Sequence, residues 1–370
     1  MTLLVHHARL LDGDGSTDGW VRLDGSLVVA RGSGEPAAAQ DDEVVDAAGA
    51  TLVPGFVDLH THGGGGAAYG DGVDAAATAI ATQGAHGTSA LVASLVSRPV
   101  DVLAAQLHEL ADVRRRTPAL LGAHLEGPFL APARRGAHSP EALVDPTPEA
   151  VDTLLEAAEG SLVQITVAPE RPGGLDAVRR LTDAGVVVAV GHTEATYEQA
   201  RAAFDAGASL LTHAFNAMPG IHHRLPGPVL AAVDDGRAVL EVIADGHHVA
   251  GPAIRLLLSA APGRVALVTD AMAAAGAGDG AYLLGELEVT VRDGAAYLAD
   301  GVTLAGSTLT MDAAVARLVG LGVPLRDAVD AATVTPARVV GRQDTLGHLR
   351  VGATGGALLL DDAGRLVRVL

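Results

Sequence analysis

The stretch Val186-Val-Val-Ala-Val-Gly-His192-Thr193 is followed by an Ala-rich run over 196–206 and then by Ser209-Leu-Leu-Thr-His213-Ala-Phe-Asn216-Ala217. A short apolar, β-branched run that ends in polar residues reads as a buried strand, and a helix-length segment between two such runs makes them neighbours in a parallel sheet. The same unit recurs on either side. Strand-like runs fall at 51–60, 88–96, 119–127, 161–170, 186–193, 209–217, 238–245 and 264–271, with helical stretches at 74–86, 100–116, 174–184, 196–206 and 250–261. Eight such units over roughly 250 residues have the size of a (β/α)8 TIM barrel. A doubly wound open sheet is the second choice, because no Gly-x-Gly-x-x-Gly follows the first strand. A hairpin-like insert, Glu286–Val291 and Ala295–Leu298 around Asp293-Gly294, follows the eighth strand.

The ends read differently. Residues 2–11 and 19–30 form short strands between Asp-Gly turns, and Ala357–Leu360 and Leu366–Leu370 repeat the pattern. The expected organisation is a small, sandwich-like β domain assembled from residues 1–50 and 345–370, interrupted by a barrel over 51–344.

The 370 residues suffice for a large core, and 49% hydrophobic against 19% charged residues is a globular composition. Aromatics make up 2%, so the core must be built from Val, Leu, Ile and Ala. The formal net charge of −19 argues against nucleic acid as a partner but not against a small anion held by local donors. No run of 18 apolar residues and no basic-then-apolar N-terminus is present, so neither a membrane span nor a secretion signal is expected and the cytoplasm is the default. With no cysteine, any metal must be held by His and carboxylates.

Those residue types sit at strand ends. His60 and His62 close the first strand, Glu126 the third, His192 the fifth, His213 the sixth, Asp245 the seventh and Asp270 the eighth. In a TIM barrel the carboxyl ends share one rim, where active sites lie. Any single His is more often a surface or core residue, and a His-x-His pair shares a strand face with or without metal. Convergence of the whole set at one end of an apolar barrel is not what packing alone produces. Nitrogen and oxygen ligands suit zinc or another divalent first-row ion such as iron, cobalt or manganese. Such an ion acidifies a water and polarises a carbonyl, and Asp270 is placed to accept and return a proton. No Gly-x-Ser-x-Gly elbow offers a serine nucleophile.

Pro54–His62, His124-Leu-Glu126-Gly-Pro-Phe129, Gly191-His192-Thr193, Thr212-His213-Ala-Phe-Asn216-Ala217-Met218, Ala244-Asp245-Gly-His-His248 and Val268-Thr-Asp270-Ala271 resemble the N-acetylglucosamine-6-phosphate deacetylases of the amidohydrolase superfamily. The match continues in order to Leu304-Ala-Gly-Ser307 and the C-terminal β segment. The resemblance implies a primary metal on Glu126, His192 and His213, with Asp270 as the base. It implies that His138 polarises the acetyl carbonyl and contacts the sugar beside Ala137 and Leu304, and that Asn216, Ala217, Arg224 and His248 hold the phosphate. It further implies a homodimer in which Arg224 completes the neighbour's phosphate site. Some relatives lack the first-strand His pair and use one ion; here His60 and His62 are both present, so one or two ions per subunit are expected, the second bridged by Glu126 and touching Asp270. Another departure is Gly355-Gly356-Ala357-Leu358, where many amidohydrolases carry Asp after the Ala; it lies outside the barrel.

The expected reaction is hydrolysis of the acetamide of N-acetyl-D-glucosamine 6-phosphate to D-glucosamine 6-phosphate and acetate, in amino-sugar metabolism. The rivals are another amidohydrolase reaction, deamination or cyclic-amide hydrolysis, and a barrel that has lost catalysis and serves as a scaffold. Asp245 is read as orienting a neighbouring His or binding the sugar. His222 and His223 are read as loop residues, and His6, His7, His86, His108 and His348 as structural or surface residues. The glycines at 63–66 are read as letting backbone approach the ligand.

Overall fold

Alternating apolar residues and Asp-Gly turns fold the N-terminal segment into a meander. A computed structural model describes residues 2–37 and 39–370; Met1 and Ala38, in the expected terminal β segment, lie outside the described residues. β1 (Thr2–Asp12), β2 (Gly15–Asp24) and β3 (Leu27–Gly32) pair antiparallel, and β4 (Asp42–Asp46) and β5 (Thr51–Pro54) run parallel to β1. The run expected as one strand over 51–60 is two: β5 belongs to the terminal sheet, and β6 (Phe56–Thr61) enters the barrel. Gly55 makes the crossing, where a Cβ would lie 2.3 Å from the Gly355 carbonyl oxygen, so no other residue fits without moving backbone.

After a short hairpin, β7 (Gly63–Gly64) and β8 (Ala67–Ala68), helices and strands alternate. They are α1 (Val73–Ala85), β9 (Thr88–Val96), α2 (Val100–Arg116), β10 (Leu120–Glu126), α3 (Pro148–Ala158), β11 (Leu162–Val167), α4 (Gly174–Asp183) and β12 (Val187–Val190). Then come α5 (Tyr197–Asp205), β13 (Leu210–Leu211), α6 (Gly227–Asp235), β14 (Val239–Ile243), α7 (Gly251–Ala260) and β15 (Val265–Val268). The eight barrel strands are parallel and follow sequence order, β6-β9-β10-β11-β12-β13-β14-β15. The ring closes where Asp270 N–H donates to His60 O and His62 N–H donates to Ala271 O, both at 2.7 Å. This is the (β/α)8 TIM-type barrel.

Helix starts are written locally: Thr196 and Gln199 form a capping box on α5, and Thr147 caps α3 ahead of Pro148. The barrel wall buries Leu91, Leu125, Ile165, Val188, Leu240 and Leu267 against helix residues such as Leu103, Val178 and Phe204. A three-stranded sheet, β16 (Gly280–Leu284), β17 (Leu287–Arg292) and β18 (Ala295–Leu298), follows the eighth strand. Next, α8 (Met311–Gly320), α9 (Leu325–Ala332) and α10 (Val334–Val339) lead to β19 (Ala357–Leu360) and β20 (Leu366–Val369). β19 pairs with β5, so both ends of the chain share one sheet with its own core of Val5, Leu10, Val21, Leu23, Leu52 and Leu359.

Leu267 is fully buried on β15, whereas Leu256 on α7 is 59% exposed. Leu267→Ala should therefore lower unfolding free energy by about 2–5 kcal/mol, and Leu256→Ala should change it by no more than about 0.5 kcal/mol. Urea unfolding followed by circular dichroism checks this, and equal losses would contradict the placement of the two side chains.

Candidate metal centre

The barrel strands stop short of the polar residues that end them, and the backbone then turns in an uncommon way. His192, His213, Phe215, Ala217 and Asp270 all have positive φ (45°, 24°, 79°, 50° and 48°), a region that L side chains rarely adopt. Such residues cost on the order of 1 kcal/mol or more each and persist where the surroundings fix them, often at functional sites. Here the turns bring His192, His213, Ala217 and Asp270 to the wall of one pocket.

Glu126, at the end of β10, is the point they meet. Its Oε1 stands 3.0 Å from His192 Nε2, 2.9 Å from His213 Nε2 and 3.5 Å from His60 Nε2. Its Oε2 stands 3.2 Å from His62 Nε2 and 3.3 Å from His138 Nε2. Asp270 Oδ1 lies 3.4 Å from His60 Nε2 and 3.2 Å from His62 Nε2. All are buried. Burial alone would push the Glu126 carboxyl up, but His60 and His192 hold it well below its ordinary range. For Asp270, burial again opposes the charge, and His60 and His62 bring the carboxyl down to about 2.

The donor set fits a metal. His60 and His62 approach through Nε2 at 3.1 Å, and His192 and His213 do so at 3.0 Å. Two nitrogens on one tetrahedral zinc, each about 2.0–2.1 Å from it, stand about 3.3 Å apart. The ring protons are set from behind. His192 Nδ1–H donates to the Arg134 carbonyl oxygen at 2.8 Å, which leaves Nε2 with a lone pair. His138 is the reverse case: its Nδ1 accepts the Ser97 backbone N–H at 3.1 Å, so in the neutral ring the proton is on Nε2. Burial lowers its pKa to about 4, so the ring is neutral at neutral pH and its Nε2–H points at Glu126 Oε2. The cluster His60, His62, Glu126 and Asp270 is a metal-binding site.

A cavity of about 350 Å³ opens over this cluster. His62, Glu126, Ala137, His138, His192, His213, Asn216, Ala217, His248, Asp270 and Leu304 line it, so most of the expected site residues share one wall. Asp245 does not line the pocket. Its Oδ2 holds His248 Nδ1 at 2.7 Å, and its Oδ1 accepts the backbone N–H groups of His247 and His248, so its oxygens are already taken. Burial would lower the His248 pKa, but Asp245 outweighs it and raises the ring towards its charged form. Arg224 is exposed on the loop after Asn216 and likewise does not line the pocket of its own chain. The glycines at 63–66 serve a purpose other than the expected one. A Cβ on Gly63 would sit 2.2 Å from the Ala67 oxygen, and Gly65 and Gly66 donate to Ala275 and Ala273, so they let backbone approach backbone.

Several residues escaped the sequence reading. Asp58 accepts the His60 N–H and the Thr269 N–H and hydroxyl, and burial pushes its carboxyl up to about 7. Ser97 fixes the His138 ring, and Arg134 lines the pocket. Glu241 lies inside β14, and the signal for it was a lone carboxylate within the apolar run Val239–Ile243.

Residues 51–364 match the amidohydrolase family, and the chain belongs to that family. Among curated relatives, the N-acetylgalactosamine-6-phosphate deacetylase of Escherichia coli O157:H7 is 41% identical over 84% of this chain and 83% of its own length. The N-acetylglucosamine-6-phosphate deacetylase of Vibrio furnissii is 38% identical over 81% of this chain and 76% of its own. A solved structure of the N-acetyl-D-glucosamine-6-phosphate deacetylase of Mycobacterium smegmatis, an Asp-to-Ala variant in complex with N-acetyl-D-glucosamine-6-phosphate, is 42% identical. It superposes with a TM-score of 0.93 over 100% of this chain and 97% of its own.

Glu126→Gln should weaken metal binding at least 10-fold, because the central bridging charge is gone, while His248→Gln should leave the metal content unchanged. Metal analysis of both purified variants after dialysis against a weak chelator decides; equal metal content in the two would remove Glu126 from the ligand set.

Proposed function

We propose that the chain hydrolyses the acetamide of N-acetyl-D-glucosamine 6-phosphate to D-glucosamine 6-phosphate and acetate, a step of amino-sugar metabolism. The observation that carries this is the Glu126-centred cluster opening on a pocket with His138 beside that cluster and, in its wall, His248 held from behind by Asp245. The named deacetylase relatives support it.

Glu126, His192 and His213 would hold one ion, and His60, His62, Glu126 and Asp270 a second. A divalent ion supplies Lewis acidity, acidifying a water and polarising the carbonyl oxygen. Zinc is the first choice, with iron, cobalt or manganese as alternatives. Two ions are favoured by charge: Glu126, Asp270 and Glu241 are buried with no buried Arg or Lys among the described residues, and three carboxylates exceed the charge of one divalent ion. Asp270 takes the proton of the attacking water and passes it to the amide nitrogen as the C–N bond breaks. His138 Nε2–H donates to the amide oxygen as negative charge develops there. Asn216, the Ala217 backbone and protonated His248 bind the phosphate, Ala137 and Leu304 flank the sugar, and Asp245 acts by holding His248.

Arg224, exposed on its own chain, completes the phosphate site of a second copy in a homodimer. The enzyme works in the cytoplasm; none of its described helices is long and apolar enough to cross a membrane. A second reading has its own support: the 41% identical relative is named for the galactosamine epimer, so N-acetyl-D-galactosamine 6-phosphate is the competing substrate.

Acetate release from the two epimers, with and without chelator, tests the assignment; no release from either would overturn it. Asp270→Asn should lower kcat by about 10²–10⁴-fold. Arg224→Ala should hurt phosphorylated substrate far more than N-acetylglucosamine. Mixing inactive Arg224→Ala and Asp270→Asn chains should restore part of the activity if the arginine crosses between copies, and no recovery would confine it to its own subunit.

A further inference from the structure

Below the residues that face the pocket, the barrel interior holds a second ring of buried polar side chains. Much of it is self-satisfied. Ser94 Oγ meets His124 Nδ1 at 2.9 Å, His124 Nε2 meets Thr166 Oγ1 at 2.9 Å, and Thr166 meets Thr212 at 2.8 Å. Barrel interiors are usually filled by branched apolar residues, so this ring has been kept at a cost in desolvation.

Glu241, fully buried on β14, stands out within it. Its Oε1 accepts the Gln164 amide at 2.9 Å. Its Oε2 lies 3.2 Å from His60 Nδ1 and accepts the His213 backbone N–H at 3.2 Å. No Arg or Lys among the described residues pairs with it. A carboxylate oxygen only accepts, so the hydrogen between Glu241 and His60 is on Nδ1, and in the neutral ring, the form that binds metal, the Nε2 lone pair faces His62, Glu126 and Asp270. The same oxygen ties down the backbone of His213, whose φ of 24° needs an outside constraint.

We propose that Glu241 is a positioning residue for metal binding: from beneath the site it orients His60 and anchors His213, and so aligns ligands on both sides of Glu126. This rests on the reading that His60 holds an ion. A packing role would need no charge here. A buried carboxylate held only by a histidine ring, an amide and a backbone N–H is costly to desolvate, and alignment of the ligands offsets that cost once a cation sits above it.

The two roles separate in Glu241→Gln. A zinc titration against a competing chelator should show affinity reduced about 10–100-fold, the range for lost partners behind ligating histidines. The melting midpoint of the stripped variant should equal or exceed that of stripped wild type, and the rise on adding zinc should shrink. Unchanged zinc affinity, or a lower stripped midpoint with an unchanged zinc-induced rise, overturns the proposal. His60→Ala is measured alongside. If it leaves the zinc count unchanged, the ligand reading fails and the inference with it; if it loses an ion while Glu241→Gln binds like wild type, only the inference fails. Should Glu241→Gln not fold, long-range ¹⁵N–¹H spectra of histidine-labelled, zinc-loaded wild type give the answer. A proton on His60 Nδ1 supports the proposal, and an unprotonated Nδ1 overturns it.

Discussion

A buried carboxylate among histidines is the constraint on which the molecule is organised. Glu126 lies in a barrel mouth with little water, and its charge must be met there by cations or polarised rings. Four histidines and Asp270 converge on it from strands far apart in sequence, β6, β12, β13 and β15. That convergence needs the ring to close, and the closure runs through the site: the His60–Asp270 and His62–Ala271 backbone bonds join first and last strands at the ligands themselves. Fold and chemistry depend on the same few hydrogen bonds.

The arrangement is costly without an ion. Positive φ at His192, His213 and Asp270 stores strain, and Asp58, Glu126 and Asp270 are buried acids. The apolar barrel wall, with Leu91, Leu125, Ile165 and Leu267 fully buried, supplies the stability that tolerates it. The separate core of the terminal sheet adds to this, and β5, continuous with β6 through Gly55, ties that sheet to the strand bearing His60 and His62.

The barrel and the polar residues at its mouth were legible in the sequence because both obey a period. Each strand is a short apolar run, and the clustered side chains sit where those runs end, so the positions of Glu126, His192 and His213 at the barrel mouth could be read from the sequence. What supports the ligands follows no such rule. Asp58 and Glu241 are carboxylates inside apolar runs, facing inward only because of the strand's register in the closed barrel. Ser97 acts through a backbone N–H, which no residue identity reveals. Gly63 was open to two readings, since close approach to a ligand and close approach to backbone require the same residue; the Ala67 carbonyl decides between them. The 51–60 run reads as one strand because Thr51-Leu52-Val53, with two β-branched residues, suits either sheet, and the break is a single Gly.

A chain of net charge −19, if it takes the proposed phosphorylated substrate, must solve recognition locally. At physiological salt, charges more than about 8 Å apart are largely screened, so the acidic exterior slows encounter without deciding affinity inside the pocket. The donors that count are the few on the wall. His248 is useful because Asp245 keeps it charged despite burial, and Arg134 stands on the same wall with only a 4.0 Å pairing to Glu194. A carboxylate placed behind a ring raises its positive charge without touching the substrate, whereas one placed on the wall would repel a phosphate. Asp245 occupies the first position, behind His248. On the pocket wall, then, a half-buried acid acts through a histidine, which lets an acidic protein present a positive face to an anion.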